Sequence, residues 1–216
     1  MNGIPPSSES RERLFHYLRE EIRDDRVVSA MEHVPREEFV PPASQHLAYE
    51  DMPLAIGEEQ TISQPFIVAM MTSALELTGK EKVLEIGAGS GYQAAILCKL
   101  ARWVVTVERF SNLAESASQT LKKLGYDNVE VHVAGETIGW KEGAPYDAII
   151  VTAGAPQVPQ ELLGQLAAGG RLVIPVGSRF EQQLVKVKKE KTGITTESLG
   201  ACRFVPLKGK GAWGYE

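Results

Sequence analysis

The stretch from Val83 to Tyr92 constrains the fold of this chain more than any other feature. A mostly apolar run leads into glycines at three alternate positions, Gly87, Gly89 and Gly91, and an apolar helical pattern follows. This order predicts a strand, a tight turn and a helix, because glycine adopts left-handed backbone angles at little cost. A helix start offers unpaired N–H groups and the positive end of a dipole. The turn is therefore the predicted binding place of a nucleotide-like ligand.

Strands and helices alternate after this turn. We expect further strands at 103–108, 128–134, 146–152 and 171–176, and helices at 111–124 and 159–166. Such alternation indicates an α/β fold with a doubly wound, mostly parallel, Rossmann-like sheet. From residue 183 to about 205 the pattern predicts an antiparallel hairpin at the C-terminal edge of the sheet, with a lysine run as its solvated face.

The N-terminal third does not follow the alternation. Residues 1–7 are expected to be disordered, and two added helices are expected between residues 8 and 34, the second stopped by Pro35. Residues 36–61 lack periodicity but carry apolar side chains, which suggests a long functional loop packed onto the domain. A helix is then expected to open near Ser63, with Ser63 as its cap and Pro65 in its first turn, and to end at Thr78-Gly79.

Size and composition favour one globular domain. The chain has 216 residues, 43% apolar content and a net charge of −5, with no basic stripe for nucleic acid. No apolar run is long enough for a transmembrane helix, and the N-terminus does not resemble a secretory signal, so no membrane partner and a cytoplasmic location are expected. The two cysteines, Cys98 and Cys202, are expected to be reduced thiols.

The glycine spacing bears on which cofactor is bound. The G-x-G-x-G order differs from the G-x-G-x-x-G fingerprint of dinucleotide binders. Glu108 ends the next strand, where a carboxylate accepts hydrogen bonds from ribose hydroxyls in nicotinamide and S-adenosylmethionine binders alike. The spacing and Glu85 favour S-adenosylmethionine and leave a nicotinamide or a purely structural turn as alternatives. In the structural alternative Glu108 is a solvated strand end and Glu85 pairs with a helix N-terminus.

Seven segments spread along the chain carry a family resemblance: Pro35–Pro41, Tyr49–Leu54, Gln60–Pro65, Val83–Ala95, Ala144–Val151, Gly169–Gly177 and Phe204–Leu207. Through them, over about residues 10–207, the chain resembles the bacterial and archaeal type of protein-L-isoaspartate (D-aspartate) O-methyltransferase. The glycine motif occurs in many methyltransferases, whereas the Thr-Ile-Ser-Gln-Pro segment is specific to this family.

The resemblance implies a methyltransferase fold with a rearranged C-terminal end of the sheet. It implies methyl transfer from S-adenosylmethionine, with S-adenosyl-L-homocysteine as product, to the α-carboxylate of L-isoaspartyl residues and the side-chain carboxylate of D-aspartyl residues in damaged proteins. This transfer initiates repair. We expect a monomer of one domain, divided into an N-terminal helical layer with the substrate loop (8–78), a cofactor-binding core (79–177), C-terminal edge strands (178–207) and a tail (208–216).

The resemblance also implies site residues. Ser63 is the expected catalytic residue, with Gln60, Thr61 and Ile62 beside it at the substrate. The expected cofactor-binding residues are Glu85, Gly87, Ala88, Gly89, Ser90, Gly91, Glu108, Arg109, Gly135, Glu136 and Thr137. The chain departs from the family pattern at two places: Gly135-Glu136-Thr137 replaces the family's common Gly-Asp-Gly at the adenine, and Glu58-Glu59 stand where a glycine usually precedes the Gln-Thr-Ile-Ser run. We expect this Glu pair to face solvent.

The chemistry of such a transfer needs placement more than a base. A sulfonium methyl is already activated, and a carboxyl with a pKa near ~4 is ionised at neutral pH. The Ser63 hydroxyl and free N–H groups of Phe66 and Ile67 are expected to hold the carboxylate, unless Ser63 only caps the helix. His16, His33, His46 and His132 lie far apart, so no metal site or triad is expected.

Two other functions remain open at the level of the sequence. A nicotinamide-dependent oxidoreductase is opposed by the glycine spacing and by the lack of a suitably placed proton donor. A non-catalytic relative that only binds cofactor or peptide is suggested by Glu59 and Glu136. The tail contains Trp213 and Tyr215, and either closes over a bound peptide or is a frayed end.

Overall fold

The computed structural model describes residues 5–209 and 212–214. Its helices are α1 (Ser8–Glu21), α2 (Asp25–Glu32), α3 (Pro65–Ala74), α4 (Tyr92–Leu100), α5 (Ser111–Lys123) and α6 (Gln160–Gln165). Its strands are β1 (Leu54–Gly57), β2 (Gln60–Ile62), β3 (Lys82–Ile86), β4 (Trp103–Glu108), β5 (Val129–Val133), β6 (Tyr146–Val151), β7 (Leu166–Gly177), β8 (Gln182–Glu190) and β9 (Gly193–Cys202). Short 3₁₀ helices span Arg36–Phe39, Pro42–Leu47 and Lys141–Gly143.

Seven strands form the central sheet, in the order β5-β4-β3-β6-β7-β8-β9. The neighbours from β5 to β7 run parallel, and β8 and β9 add antiparallel pairs at one edge. The predicted fold class is therefore confirmed. The chain leaves β3 toward β4 on one side and later returns to its other side as β6. Open α/β sheets bind ligands in the crevice at such a switch point, beyond the carboxyl ends of the strands.

Alternate residues of β3 explain how the sheet is covered. Leu84 and Ile86 belong to the apolar cluster on one face, and Val83 belongs to the cluster on the other face. This near-continuous apolar run is what a parallel strand buried on both faces requires. The N-terminal helices pack on α4, where Leu18, Met31 and Ile96 are fully buried in one further cluster. The added N-terminal layer therefore packs against α4, the helix that follows the glycine turn.

The stretch from 36 to 61 differs from the predicted loop. It contains two of the 3₁₀ helices and an antiparallel hairpin in which Leu54 pairs with Ile62. The hairpin tip is formed by Glu58 and Glu59, which have positive φ angles of 50° and 57°. Hairpin tips of this backbone shape are usually Asn-Gly or Asp-Gly, so this Glu pair gave no turn signal.

The predicted bounds of α3 were wrong at both ends. Gln64, not Ser63, occupies the cap position, and neither side chain caps the helix. The helix ends at Ala74, because Glu76 adopts a left-handed conformation with φ of 51° and stops it before Thr78. Likewise α2 ends at Glu32, ahead of Pro35. At the N-terminus Ser7 is ordered as the cap of α1, and residues 1–4 lie outside the described residues.

At the C-terminal edge the predicted solvated lysine face is wrong in part. Lys188 is exposed, but the Lys186 side chain is only 13% exposed and its Nζ lies 2.6 Å from Glu76 Oε1. Lys189 Nζ donates to the carbonyl oxygens of Leu163 and Leu166. Lys186 therefore links β8 to the loop after α3, and Lys189 links it to α6 and the start of β7. Among the described residues, no helix has the length and apolar character needed to cross a membrane.

Candidate active site

A cavity of about 650 Å³ opens beyond the carboxyl ends of the parallel strands. Its wall brings together the glycine turn after β3, the end of β4, the loop after β5, the β1–β2 hairpin and the segment after β9. Its volume falls within the range of sites for small molecules and cofactors. The switch point of the sheet is therefore occupied by a cavity of suitable size.

The glycine turn is fixed by main-chain and hydroxyl contacts. Gly87 N donates to Val107 O at 2.8 Å, which extends the pairing of β3 and β4 into the turn. Thr152 Oγ1 lies 2.9 Å from Ile86 O and 2.7 Å from Gly87 O. Gly87 has a φ of 97°, and a Cβ there would lie only 2.3 Å from Thr152 Oγ1. Glycine at this position therefore avoids a clash with the side chain of Thr152, which follows β6.

Glu108 is buried and holds the turn from the neighbouring strand. Its Oε2 accepts a hydrogen bond from Gly89 N at 2.8 Å, and its Oε1 accepts from the N–H groups of Arg109 and Phe110 at 2.7 and 3.0 Å. The alternative of a solvated strand end is therefore wrong. A carboxylate offers about four acceptor sites, so these three bonds leave capacity for a ligand hydroxyl.

Most of the predicted cofactor residues meet on the cavity wall. Gly87, Ala88, Gly89 and Ser90 line it, as do Glu108 and Arg109, and Gly135, Glu136 and Thr137 line it beyond β5. Two of the predicted cofactor residues, Glu85 and Gly91, do not line the cavity. Gly91 instead is the N-cap of α4, with φ of 90°, and a Cβ there would lie 3.2 Å from Ala117 Cβ, so it permits close packing of α4 on α5.

Glu85 lies under the turn rather than in the cavity. It is fully buried, and neither carboxyl oxygen has a hydrogen-bond partner in the described part of the chain. The alternative in which it pairs with a helix N-terminus is therefore wrong. Burial raises the pKa of Glu85 to about 8; the neighbouring Thr106 hydroxyl opposes this shift and the Glu108 charge adds to it. A buried carboxyl without a counter-charge avoids the cost of ionisation by retaining its proton.

The predicted substrate segment also reaches the cavity. Gln60, Thr61, Ile62 and Ser63 all line it, and the Ser63 hydroxyl makes no hydrogen bond to the described residues. The prediction of a free N–H at Phe66 was wrong, since this group donates to Asp51 Oδ1 at 2.8 Å. Asp51 thus takes the place at the start of α3 that the sequence suggested for the substrate carboxylate.

The hairpin tip lies at the mouth of the cavity. Glu58 and Glu59 are exposed and contribute to its wall, in agreement with their expected solvent-facing position. The Glu58 carboxylate accepts from Asn112 Nδ2 at 3.2 Å, which draws it toward the start of α5. Behind the tip, a Cβ on Gly89 would lie 3.3 Å from Ile56 Cδ1, so the hairpin covers the glycine turn closely.

The opposite wall contains residues that sequence reasoning missed. Thr152 and Arg179 were not singled out, although each follows the end of a parallel strand and that position is itself a signal for a ligand contact. Arg179 Cζ lies 5.1 Å from the ring centre of Trp213, whose Nε1 donates to Gly154 O at 3.1 Å. Trp213 is therefore docked on the wall. Tyr215, the other aromatic of the tail, lies outside the described residues.

Comparisons with known proteins agree with this geometry. The family model described as Protein-L-isoaspartate(D-aspartate) O-methyltransferase (PCMT) matches residues 9–212. Protein-L-isoaspartate O-methyltransferase 1 of Syntrophobacter fumaroxidans is 57% identical over 195 residues, covering 90% of each chain. Protein-L-isoaspartate O-methyltransferase of Geobacter metallireducens is 57% identical over 196 residues, covering 90% of this chain and 91% of its own.

Solved structures of similar proteins show the same architecture. A protein-L-isoaspartate O-methyltransferase is 33% identical with a TM-score of 0.85, covering 94% of this chain and 67% of its own. A putative member from Plasmodium falciparum, in complex with S-adenosyl-L-homocysteine, is 26% identical with a TM-score of 0.76 and covers 90% of this chain and 96% of its own. The matches span the core sheet and the N-terminal layer together.

Proposed function

This chain belongs to the protein-L-isoaspartate (D-aspartate) O-methyltransferase family, and from that premise we propose how its residues carry out the family's reaction. The protein is an S-adenosylmethionine-dependent methyltransferase acting on the free α-carboxylate of L-isoaspartyl residues, and on D-aspartyl side chains, in damaged proteins. The observation that carries the assignment of roles is the single cavity in which the glycine turn, Glu108 and Gln60–Ser63 meet.

The cofactor half of the cavity fits S-adenosylmethionine. The turn presents main chain without side chains at Gly87 and Gly89, and Glu108 retains acceptor capacity for ribose hydroxyls. We assign the ribose to Glu108 and the adenine side to the segment Gly135–Thr137 next to β5, with Arg109 beside them. The longer Glu136 side chain is exposed and lies on this part of the wall. When bound, the cofactor supplies an activated methyl group.

Strand order supports a proposal for the side from which the methyl acceptor enters. Glu108 ends β4, on one side of β3, whereas Thr152 and Arg179 follow β6 and β7 on its other side. If the ribose and adenine lie toward β4 and β5, the peptide must approach over β6 and β7. The hairpin with Gln60–Ser63 covers the cavity from above the turn. These positions allow Ser63 to contact a carboxylate that arrives from the β6 side.

No general base is required of the chain. An isoaspartyl α-carboxylate is ionised at neutral pH, so its oxygen is nucleophilic without proton removal. The site has to align this oxygen with the methyl group at about 3 Å and to keep water away. We assign the alignment to the Ser63 hydroxyl, which has no competing hydrogen bond among the described residues, and to the adjoining backbone of Thr61 and Ile62.

We further propose that the enzyme acts as a monomer in the cytoplasm. The cytoplasmic location is supported by the two cysteines, Cys98 and Cys202, which are free thiols, as is usual in reducing compartments. We also propose the division of the single domain into a substrate layer (8–78), a cofactor core (79–177), edge strands (178–207) and a tail (208–216), each of which contributes residues to the wall. Light scattering coupled to size-exclusion chromatography tests the oligomeric state directly.

The assignment is tested with methyl-labelled S-adenosylmethionine and two peptides that differ only in an isoaspartyl or a normal aspartyl linkage. We expect label in the isoaspartyl peptide alone, as a base-labile methyl ester. Equal labelling of both peptides would contradict the substrate assignment. Binding of S-adenosyl-L-homocysteine without transfer to either peptide would show a binding protein rather than an enzyme.

A further inference from the structure

Arg36 is a buried cation outside the cavity. Its side chain has no solvent exposure and reaches two carbonyl oxygens from different parts of the chain. Nε donates to Ala48 O at 2.8 Å, and Nη2 donates to Ser63 O at 2.8 Å. One guanidinium thus joins the start of the 36–61 stretch, its middle and the proposed catalytic serine.

The same guanidinium contacts the cofactor half of the site. Arg36 Cζ lies 4.8 Å from the ring centre of Tyr92, the first residue of α4, which directly follows the glycine turn. Phe39 packs edge-on against the same ring, with the ring centres 5.6 Å apart. Tyr92 and Ser63 both line the cavity. Arg36 therefore lies where the substrate segment and the start of the cofactor helix meet.

This arrangement is costly as a means of stability alone. Burial lowers the pKa of Arg36, and the nearby Tyr92, Asp51 and Tyr49 side chains oppose that shift. Arg36 Nη1 is buried without a hydrogen-bond partner in the described residues. A buried donor left unsatisfied costs about 1–3 kcal/mol, and apolar side chains often replace buried charges without loss of stability. What a guanidinium supplies and an apolar side chain does not is a set of directed donors in a fixed plane.

Asp51 holds the same segment from the other side. Its Oδ2 accepts from Gln64 Nε2 at 2.7 Å, and its Oδ1 accepts from Phe66 N at 2.8 Å. The backbone from Ser63 to Phe66 is thus fixed by two charged side chains of the 36–61 stretch. Because the Ser63 hydroxyl makes no hydrogen bond of its own among the described residues, its location depends on this backbone.

We propose that Arg36 is a positioning residue, which sets the place of Ser63 relative to the start of α4 and hence to the cofactor; this rests on the proposed function. A misplacement of about 1 Å in a site that works by alignment costs up to about a hundredfold in rate. Loss of the Arg36 contact should therefore reduce turnover while leaving the glycine turn, which is held independently by Thr152 and Glu108, able to bind the cofactor.

The test compares R36K with wild type, in the native and in the S63A background. Lysine retains the charge but not the planar pair of donors. Arg13→Gln serves as the control, because Arg13 is an exposed arginine of α1 whose ion pair with Glu50 lies at the surface. The measured quantities are kcat for an isoaspartyl peptide and the Kd of S-adenosyl-L-homocysteine by calorimetry.

We expect R36K to lower kcat about tenfold in the native background and less than about twofold in the S63A background, with Kd within about threefold of wild type. Equal losses in both backgrounds, or parallel loss of cofactor affinity, would show a general structural role and overturn the inference. Unchanged kcat would overturn it as well. A wild-type protein that labels no peptide would instead contradict the proposed function itself.

Discussion

The two halves of the cavity are built by different means. The cofactor half is held from the adjoining strands of the sheet, since Gly87 N and Ala88 N both donate to Val107 O and the Glu108 carboxylate at the end of β4 accepts from the N–H groups of Gly89, Arg109 and Phe110. The substrate half is held by side chains from a distant stretch, namely Arg36 on Ser63 and Asp51 on Gln64 and Phe66. The first half thus continues the hydrogen bonding of the sheet, whereas the second half is held on the sheet by residues that are distant in sequence.

Because of this difference, affinity for the cofactor and alignment of the substrate carboxylate depend on different contacts. A turn fixed by sheet hydrogen bonds keeps its shape regardless of what the N-terminal layer does. A segment fixed by two charged side chains depends on a few contacts of the 36–61 stretch, and a single substitution there reaches the reacting group. Changes in the strands and the turn should therefore alter cofactor affinity, and changes in the substrate segment should alter turnover. Five substitutions test this contrast.

The largest effect is expected from Gly87→Ala in the cofactor half. The added Cβ would lie 2.3 Å from Thr152 Oγ1, at a φ of 97° that L side chains rarely adopt. We expect the Kd of S-adenosyl-L-homocysteine to rise by at least about 200-fold, equivalent to ~3 kcal/mol. Calorimetry measures it, with Gly164→Ala as control because that Cβ meets open space. A change under about threefold would refute a backbone-fixed turn.

The next effect concerns the carboxyl under the turn. Since burial raises the pKa of Glu85 to about 8, the folded protein holds a proton that the unfolded chain releases near pH 4.5. The resulting stabilisation is complete below the unfolded pKa and is lost as the pH rises through the folded pKa. We expect Glu85→Gln, which is neutral throughout, to gain about 3 kcal/mol of stability relative to wild type between pH 5.5 and 8.

Urea unfolding at both pH values measures this gain, and Glu115→Gln on the exposed face of α5 provides the control. A difference in unfolding free energy that does not change with pH would mean that Glu85 is ionised in the folded protein. In that case a buried charge would lie under the cofactor turn, and the proton on Glu85 would not contribute to the stability of this half.

Glu108→Gln should weaken cofactor binding about 30-fold, or ~2 kcal/mol. The amide lacks the charge and places a donor against backbone N–H groups that now donate to the carboxylate. Turnover at saturating cofactor should fall by less than about threefold, since Glu108 lies in the affinity half. An effect confined to kcat, with unchanged Kd in a calorimetric titration, would contradict the assignment of the ribose.

Ser63→Ala probes the alignment half and should show the opposite pattern. We expect kcat for an isoaspartyl peptide to fall at least about tenfold, with the Kd of S-adenosyl-L-homocysteine within about twofold of wild type. Steady-state kinetics at saturating cofactor measures the first quantity. Ser118→Ala, on the exposed face of α5, is the matched control. Full turnover without the hydroxyl would remove Ser63 from the mechanism.

The smallest effect is expected at the hairpin tip. Glu59 has φ of 57°, a conformation that glycine adopts without strain. We expect Glu59→Gly to raise the free energy of unfolding by about 0.5–1 kcal/mol, because the relieved strain exceeds the entropy that glycine adds to the unfolded chain. Glu59→Ala keeps the strain but removes the charge. If both variants gain equally in urea unfolding, charge repulsion rather than backbone strain is the cause.

The contrast between the halves also explains what the sequence could predict. Strand β4, Trp103–Glu108, has the predicted bounds, and the turn at Gly87 lies where the pattern indicated, because short-range apolar periodicity and glycine conformations are local properties. The family resemblance placed Ser63 in the cavity, but local rules placed it wrongly as a helix cap. The cap is occupied by Asp51, which is distant in sequence and gives no local signal.

The same limit applies to Arg36 and to the β1–β2 hairpin. Arg36 belongs to a matched segment, yet its contacts with Ser63 and Tyr92 arise only when the N-terminal layer packs on α4. Glu58 and Glu59 form a hairpin tip without the usual turn residues, so the hairpin remained hidden in an apparent loop. Long-range contacts and strained turns leave no local pattern in a single sequence from which they could be predicted.

The docking of Trp213 on the cavity wall has an optical consequence. The chain contains three tryptophans, and of these Trp103 and Trp140 lie away from the wall. Trp213 is the indole beside Arg179, with its Nε1 fixed on Gly154 O. Indole emission responds to the polarity of its surroundings, so a ligand that displaces water from this wall would change the fluorescence of one identifiable chromophore. The protein thus carries an intrinsic reporter of occupancy at the β6–β7 side of its site.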